Sequence, residues 1–89
     1  MTTPTAGHRV VVYSRVGCHL CEEAEALLAR LLGDRSAFAV VDIDRDEGLR
    51  DRYTVRVPVV AVDGVEVAEL AVDETALRLA LRHAGVAHR

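Results

Sequence analysis

The spacing of hydrophobic residues changes along the chain, and each change marks a new element of secondary structure. Residues 9–13 read Arg-Val-Val-Val-Tyr, an unbroken β-branched run that predicts a strand buried on both faces. After a turn at residues 14–17, apolar residues recur every three or four positions between charged ones, which predicts a helix with one apolar stripe. The stripe consists of Leu20, Ala24, Leu27, Leu28 and Leu31. Gly33 is expected to end this helix, because glycine readily adopts the left-handed conformation found at helix ends.

A second strand and a second helix are predicted next. Residues 37–43 contain four large apolar side chains and predict a strand. Two strands that flank one helix form a βαβ unit, so we expect them to be parallel and joined by a right-handed crossover. The charged stretch 44–53 predicts a short helix, which Gly48 weakens.

The last third of the chain predicts a hairpin and a final helix. Asp63-Gly64 stands between apolar runs at residues 59–62 and 65–70, and this dipeptide favours a two-residue turn. The second run alternates in polarity, so it is expected at a half-exposed sheet edge. Asp73 and Gly85 predict the start and the end of the last helix. The resulting order, β-α-β-α-β-β-α, predicts an α/β fold with a four-stranded mixed sheet and helices on both of its faces.

Length and composition indicate one small globular domain. The 89 residues suffice for a single modest core, and 51% hydrophobic with 28% charged residues is typical of folded rather than disordered chains. We expect one domain over residues 1–89, with an ordered core over about 9–85 and loose ends at 1–7 and 86–89.

Charge and hydropathy argue against several classes of partner. The net charge of −3 and the aromatic content of 3% make nucleic acid or an anionic membrane an unsuitable main partner. No apolar run approaches the roughly 18 residues that cross a bilayer, and residues 1–9 lack the apolar core of a secretory signal. We therefore expect a cytoplasmic monomer that binds neither nucleic acid nor membrane.

The two cysteines form the motif Cys18-His19-Leu20-Cys21 between the first strand and the first helix. Cys18 is expected at the start of the helix, where free backbone N–H groups and the positive end of the helix dipole stabilise a thiolate. Arg15 and, when protonated, His19 add positive charge nearby. The spacing lets the two sulfurs meet as a disulfide. It predicts a dithiol in which Cys18 attacks a substrate disulfide and Cys21, more buried, resolves the mixed disulfide.

Two alternatives to redox catalysis remain open from the sequence. A Cys-x-x-Cys pair is also half of a tetrahedral zinc site, which needs two further ligands. His83 and His88 have ligand-like spacing, but they lie at a helix end and in the C-terminal tail, far from Cys21 in the chain. The pair could also belong to a non-catalytic binding module or serve as a thiol-ligand site. The position of the motif between strand and helix favours redox chemistry, and no metal is expected.

Four stretches of the chain carry a distinctive combination of motifs. They are Val-Tyr-Ser-Arg-Val-Gly-Cys-His-Leu-Cys at residues 12–21, Val-Val-Asp-Ile-Asp at 40–44, Arg-Val-Pro-Val-Val at 56–60 and Val-Asp-Gly at 62–64. In this combination the chain resembles the small bacterial glutaredoxin-like proteins of the thioredoxin-fold superfamily. The resemblance extends over residues 9–84. It implies a thioredoxin-like fold of the glutaredoxin type and a dithiol–disulfide oxidoreductase activity.

The resemblance also implies roles for residues outside the cysteine motif. It implies a cis bond before Pro58, which would face the cysteines, and a Val57 backbone whose N–H and C=O bind an extended substrate. Arg15 stands where glutaredoxins place a basic contact to a carboxylate of glutathione, and Asp73 matches an acidic residue at the other end of that ligand. Glutaredoxins have a glycine pair before this acidic residue. The pair is absent before Asp73, and Glu69 adds negative charge there. We therefore expect weak use of glutathione.

The expected reaction partners follow from this chemistry. They are a disulfide substrate, either a protein or a small molecule, and a thiol reductant. Glutathione is a candidate co-substrate, and no tightly bound cofactor is expected.

Overall fold

The predicted alternation of strands and helices is present in the computed structural model, which describes residues 7–89. Its main elements are β1 (Val10–Ser14), α1 (His19–Leu32), β2 (Ala39–Asp42), α2 (Glu47–Tyr53), β3 (Val59–Val62), β4 (Val65–Glu69) and α3 (Glu74–Ala84). Short 3₁₀ turns at Arg35–Ala37 and Ile43–Arg45 flank β2. Of the N-terminal end predicted to be loose, residues 1–6 lie outside the described part of the chain.

The strands form one mixed sheet in the order β2-β1-β3-β4. β1 pairs in parallel with β2 and antiparallel with β3, and β3 pairs antiparallel with β4. The β-branched run of β1 is therefore central, which explains why Val10, Val11 and Val12 are all buried. β4 lies at an edge and is half exposed, as its alternating pattern predicts. The predicted fold class is confirmed.

Helices cover both faces of this sheet. Because side chains alternate along a strand, Val12 points to one face and Val11 to the other. On the face of Val12, α1 and α3 pack through fully buried leucines, which are Leu28, Leu31, Leu77 and Leu81. On the face of Val11, α2 packs through Leu49 and Tyr53. The helix that begins at the cysteine motif is thus anchored to the sheet.

Local signals account for where the chain turns. Asp63 and Gly64 form the hairpin between β3 and β4, with φ values of 52° and 82°. Two positive values in succession give a tight turn whose twist matches that of the paired strands, and glycine adopts such an angle without steric cost. α1 and α3 end at Gly33 and Gly85, as predicted.

The buried stripe of α1 differs from the predicted one at its first position. Leu20 is 39% exposed, whereas Cys21 is fully buried. The buried positions of the helix are Cys21, Ala24, Leu28 and Leu31. Both Leu20 and Cys21 fit the helical spacing to Ala24, and it is packing against the sheet that selects Cys21.

The C-terminal residues 86–89 also differ from the prediction of a loose end. The Arg89 N–H donates to the Leu31 carbonyl at 2.7 Å, and Val86 packs against the main hydrophobic core. The last carbonyls of a helix have no partner within the helix, so the returning tail satisfies one of those of α1.

Candidate functional site

Cys18 and Cys21 lie at the start of α1, as the sequence predicts. Cys18 is the N-cap of the helix, and its Sγ accepts a hydrogen bond from the Cys21 N–H at 3.1 Å. The two Cα atoms are 5.2 Å apart, and the two sulfurs lie within disulfide distance of one another. Cys18 is partly exposed and Cys21 is completely buried. Cys18 is therefore the more exposed member of the pair, and Cys21 lies in the interior.

Pro58 lies at the same end of the sheet as the cysteine motif. Tyr13 pairs with Val59 in the antiparallel register, so the next pair along sets Ser14 against Pro58. Ser14 is the last residue of β1 and leads into the loop that carries the cysteines. The Val57–Pro58 bond is cis, as the resemblance implies, and Pro58 is buried.

Val57 offers only part of the backbone contact that the resemblance implies. Its N–H already donates to the Tyr53 carbonyl, at 3.2 Å, in the turn that follows α2. Its carbonyl accepts no backbone hydrogen bond from any residue between 7 and 89. A substrate strand would find one open acceptor at Val57 rather than a donor and an acceptor.

Arg15 is held by other residues of its own chain. Its Nε and Nη2 donate to the two carboxylate oxygens of Asp44, each at 2.9 Å, and Nη2 also donates to the Thr54 hydroxyl at 2.7 Å. These hydrogen bonds hold the pKa of Asp44 below its usual value, so the pair is charged at neutral pH. Arg15 thus joins the loop before Cys18 to the segment that leads to Pro58. The resemblance implies that Arg15 contacts a carboxylate of the ligand, but in the structure the carboxylate of Asp44 already compensates its charge.

Arg56 compensates the negative charge noted at Glu69. Its Nη2 donates to Glu69 at 3.3 Å and, more closely, to Glu66. The hydrogen bond from Arg56 is the main cause that holds the pKa of Glu66 below its usual value. Because Arg56 lies between the two carboxylates, Glu69 repels an incoming carboxylate less than the sequence alone suggests.

His19 and Asp73 both carry local contacts in the structure. His19 is exposed, and its Nε2 lies 2.7 Å from the carboxylate of Glu23, one helical turn further along α1. Asp73 is the N-cap of α3, as predicted, and accepts a hydrogen bond from the Ala76 N–H at 2.8 Å. A role of either residue towards a substrate stays a prediction.

A buried serine and a glutamate lie beside the motif, and the sequence reasoning did not include them. Ser14 is buried, and its Oγ donates to Glu25 at 2.9 Å. Both residues line a cleft of about 240 Å³ that also includes Arg15 and Val40. Glu25 follows Cys21 by one helical turn, so the two side chains lie on one side of α1. That spacing was the available signal in the sequence.

Four exposed apolar residues lie in segments that meet at the end of the sheet where the cysteine motif begins, and we call these four the apolar rim. They are Val16, Leu20, Val55 and Leu70, with exposed fractions of 86%, 39%, 81% and 44%. Val16 and Leu20 flank Cys18 in the chain, Val55 follows the Thr54 that Arg15 contacts, and Leu70 follows β4. The sequence pattern does not predict this surface. It predicts Leu20 in the buried stripe of α1 and Leu70 in the second strand of the hairpin, and it places Val16 and Val55 in no helix or strand.

The described residues hold neither a cluster of metal ligands nor a membrane-spanning helix. In the range 7–89, no three His, Cys, Asp or Glu side chains are placed to hold a metal ion. His88, a residue of the zinc alternative, has its Nδ1 at 3.0 Å from the Val86 carbonyl oxygen. None of the helices in this range is long and apolar enough to cross a bilayer.

The glutaredoxin-like domain family (DUF836) matches residues 9–82, from the start of β1 into α3. The chain belongs to this family. A glutaredoxin-like fold is also what the solved structures show. A structural-genomics target protein from X. campestris is 36% identical to the chain and superposes with a TM-score of 0.71, covering 83% of this chain and 96% of that one. A protein from Nitrosomonas europaea is 33% identical, with a TM-score of 0.63 and coverage of 90% and 98%.

More distant structures share the fold of this glutaredoxin-like chain. Oxidized glutaredoxin 2 from Chlamydomonas reinhardtii is 22% identical, with a TM-score of 0.66 and coverage of 90% of this chain and 85% of that one. No curated protein is significantly similar to the chain in sequence. The thioredoxin fold and the Cys18–Cys21 pair at disulfide distance together support a redox-type function.

Proposed function

We propose that this glutaredoxin-like protein is a thiol–disulfide oxidoreductase that reduces disulfides through the Cys18–Cys21 dithiol. The observation that carries the proposal is the placement of the two sulfurs, one partly exposed at the N-cap of α1 and the other buried within disulfide distance of it. The Cα separation of 5.2 Å lies in the range of ordinary disulfides, so the pair can open and close without unwinding the helix.

Cys18 is the attacking nucleophile in this scheme. Cys18 is partly exposed, and the Cys21 N–H that donates a hydrogen bond to its Sγ would equally stabilise a Cys18 thiolate. The other free N–H groups of the first turn and the helix dipole act in the same direction. Arg15 is already paired with Asp44 and contributes less than its formal charge. The start of α1 is therefore the main source of thiolate stabilisation.

The reaction consists of two thiol–disulfide exchanges. In the first, the Cys18 thiolate attacks one sulfur of the substrate disulfide, a Cys18–substrate bond forms, and the other substrate sulfur leaves as a thiolate. In the second, Cys21 gives up its proton and attacks the Cys18 sulfur. The Cys18–Cys21 disulfide forms and the second substrate thiolate leaves. The substrate has then gained two electrons and takes up two protons, and an external thiol reductant returns two electrons to the protein.

Single-cysteine variants test this scheme. Reduced protein, freed of reductant, is mixed with a peptide disulfide, and the products are identified by mass spectrometry. The wild-type chain is expected to reduce one disulfide per molecule, Cys21→Ser to stop at a persistent mixed disulfide on Cys18, and Cys18→Ser to form neither product. Reduction by Cys18→Ser at the wild-type rate, or faster labelling of Cys21 than of Cys18 by limiting iodoacetamide, would contradict the assignment.

A further inference from the structure

Leu70 adopts a backbone conformation that leucine rarely takes. Its φ is +61°, in the left-handed region, and among residues 7–89 the only other non-glycine residue with a positive φ is Asp63 of the hairpin. In this region the Cβ atom comes too close to a neighbouring carbonyl oxygen, so glycine is favoured and aspartate is tolerated better than leucine. A large apolar residue at this position therefore needs a physical reason.

Neither the backbone nor the core supplies that reason. The Leu70 N–H donates to the carbonyls of Pro58 at 2.9 Å and Arg56 at 3.3 Å, and glycine would donate equally well. Burial does not explain the residue either, because Leu70 is 44% exposed, whereas Leu28 and Leu81 are completely buried. The chain thus keeps an apolar side chain at a strained and exposed position where a smaller residue would fold more easily.

The position of Leu70 relates it to the cysteine motif. Its hydrogen bond to Pro58 continues the β3–β4 ladder by one residue. On the other side of β3, Val59 pairs with Tyr13, close to the end of β1 that leads to Cys18. Since neighbouring strands are about 4.8 Å apart, Leu70 lies roughly 10 Å from β1 across the same sheet end. An extended polypeptide segment crosses that distance in about three residues.

The other members of the apolar rim lie close to Cys18 in the chain or in a segment that is tied to the loop before it. Val16 precedes Cys18 by two residues and Leu20 follows it by two. Val55 is in the segment that Arg15 ties to the cysteine loop through a hydrogen bond to the Thr54 carbonyl, at 3.3 Å. Together with Leu70 they place exposed apolar surface at the end of the sheet that leads to Cys18, and covering this surface gains free energy.

The cations near the rim are compensated by carboxylates. Arg15 is paired with Asp44, and Arg56 is paired with Glu66 and Glu69. Glutathione carries two carboxylates and one ammonium group, so it needs uncompensated positive charge that these pairs do not provide. A polypeptide with apolar residues beside its cysteine needs no such charge and covers the rim.

We propose that Leu70, together with the rest of the apolar rim, selects extended polypeptide disulfides with apolar residues next to the cysteine over glutathione. This inference rests on the proposed oxidoreductase function and names its substrate class. The side chain of Leu70 contacts the residues that flank the substrate cysteine. The left-handed conformation is retained because the binding surface needs that side chain.

Variants of Leu70 and three substrates test the proposal. Leu70→Ala and Leu70→Gly are compared with Leu79→Ala, which truncates an exposed leucine on α3. The substrates are two peptide disulfides of equal length and charge, one with leucine and valine beside the cysteine and one with serine and asparagine, and glutathione disulfide. The rate constant for their reduction by reduced protein is measured in single-turnover experiments.

The wild-type chain is expected to reduce the apolar peptide fastest. In both Leu70 variants this rate constant is expected to fall about five- to tenfold, because the transition state no longer gains the free energy of covering part of one leucine side chain. The rate constants for the other two substrates are expected to change less than twofold. Leu79→Ala is expected to behave like the wild type. In urea, Leu70→Gly is expected to unfold at the same or a higher midpoint than the wild type, because relief of the backbone strain offsets the loss of partly buried apolar surface.

Each outcome supports or overturns the proposal. Equal rates for the two peptides in the wild type, or an unchanged preference in both Leu70 variants, would overturn the role of Leu70 and leave the oxidoreductase function standing. A marked loss of stability in Leu70→Gly would assign the residue a structural role and overturn the proposal as well. A reduced wild-type protein that reduces none of the three disulfides would instead refute the proposed function itself.

Discussion

Two leucines that the sequence pattern treats alike are expected to respond differently to truncation. Leu28 is completely buried between α1 and the sheet, whereas Leu20 is 39% exposed in the first turn of the same helix. Leu28→Ala removes buried methyl groups and leaves a cavity, which costs about 2–5 kcal/mol. At Leu20 water fills the vacated space, so only part of the transfer free energy is lost, about 1 kcal/mol.

Urea denaturation of the two oxidised variants, followed by circular dichroism, measures this difference. A chain of this length is stable by roughly 5–13 kcal/mol, so Leu28→Ala removes a large part of the total. With a urea dependence of about 1 kcal/mol per molar, its midpoint is expected to fall by at least about 2 M and that of Leu20→Ala by about 1 M or less. Because Leu20 belongs to the apolar rim, Leu20→Ala is also expected to slow reduction of the apolar peptide.

The reasoning fails if Leu20→Ala is as destabilising as Leu28→Ala. That result would place Leu20 in the core, as the periodicity alone predicts, and would remove it from the apolar rim. Reactivity of Cys18 towards iodoacetamide serves as the control, because it is expected to be equal in Leu20→Ala and the wild type if the start of α1 is intact.

Two further predictions concern charged residues near the site. Arg15 lowers the pKa of Asp44 from 3.8, so the pair stabilises the fold fully above about pH 4 and loses this contribution as the pH falls through the lowered pKa. Asp44→Asn is therefore expected to flatten the fall of the urea midpoint on acidification below pH 4, and an unchanged acid profile would speak against the pairing. Asp73→Ala is expected to lower the free energy of unfolding by about 1 kcal/mol, whereas Asp73→Ser keeps the cap of α3 and stays within about 0.5 kcal/mol of the wild type. Equal losses in the two variants would exclude capping as the cause.

Features that depend on neighbours along the chain were predictable from the sequence. Hydrophobic spacing located the four strands and α1 of the described chain, Asp63-Gly64 located the hairpin, and Asp73 located the start of α3. The position of Cys18 at the N-cap of α1 followed in the same way. Periodicity, capping and turn conformation all act over a few residues, so their signals are present in any short window of the sequence.

Some long-range features were also predictable, because general rules relate them to the order of the elements. The parallel pairing of β1 with β2 follows from the helix between them, and the edge position of β4 follows from its alternating pattern. The fold class therefore needed no knowledge of individual contacts.

How the site is completed depends on contacts between segments that are distant in the chain. The chain has 11 basic and 14 acidic residues, and nothing local marks Asp44 as the partner of Arg15 or Glu69 as a partner of Arg56. Likewise, the exposure of Leu20 depends on how α1 lies on the sheet, and the positive φ of Leu70 depends on how the chain leaves β4. These features arise where distant segments meet at one end of the sheet. Ion pairs and packing contacts weaken as the distance between the groups increases. The contacts at the site therefore form only when folding has brought these segments together at the end of the sheet.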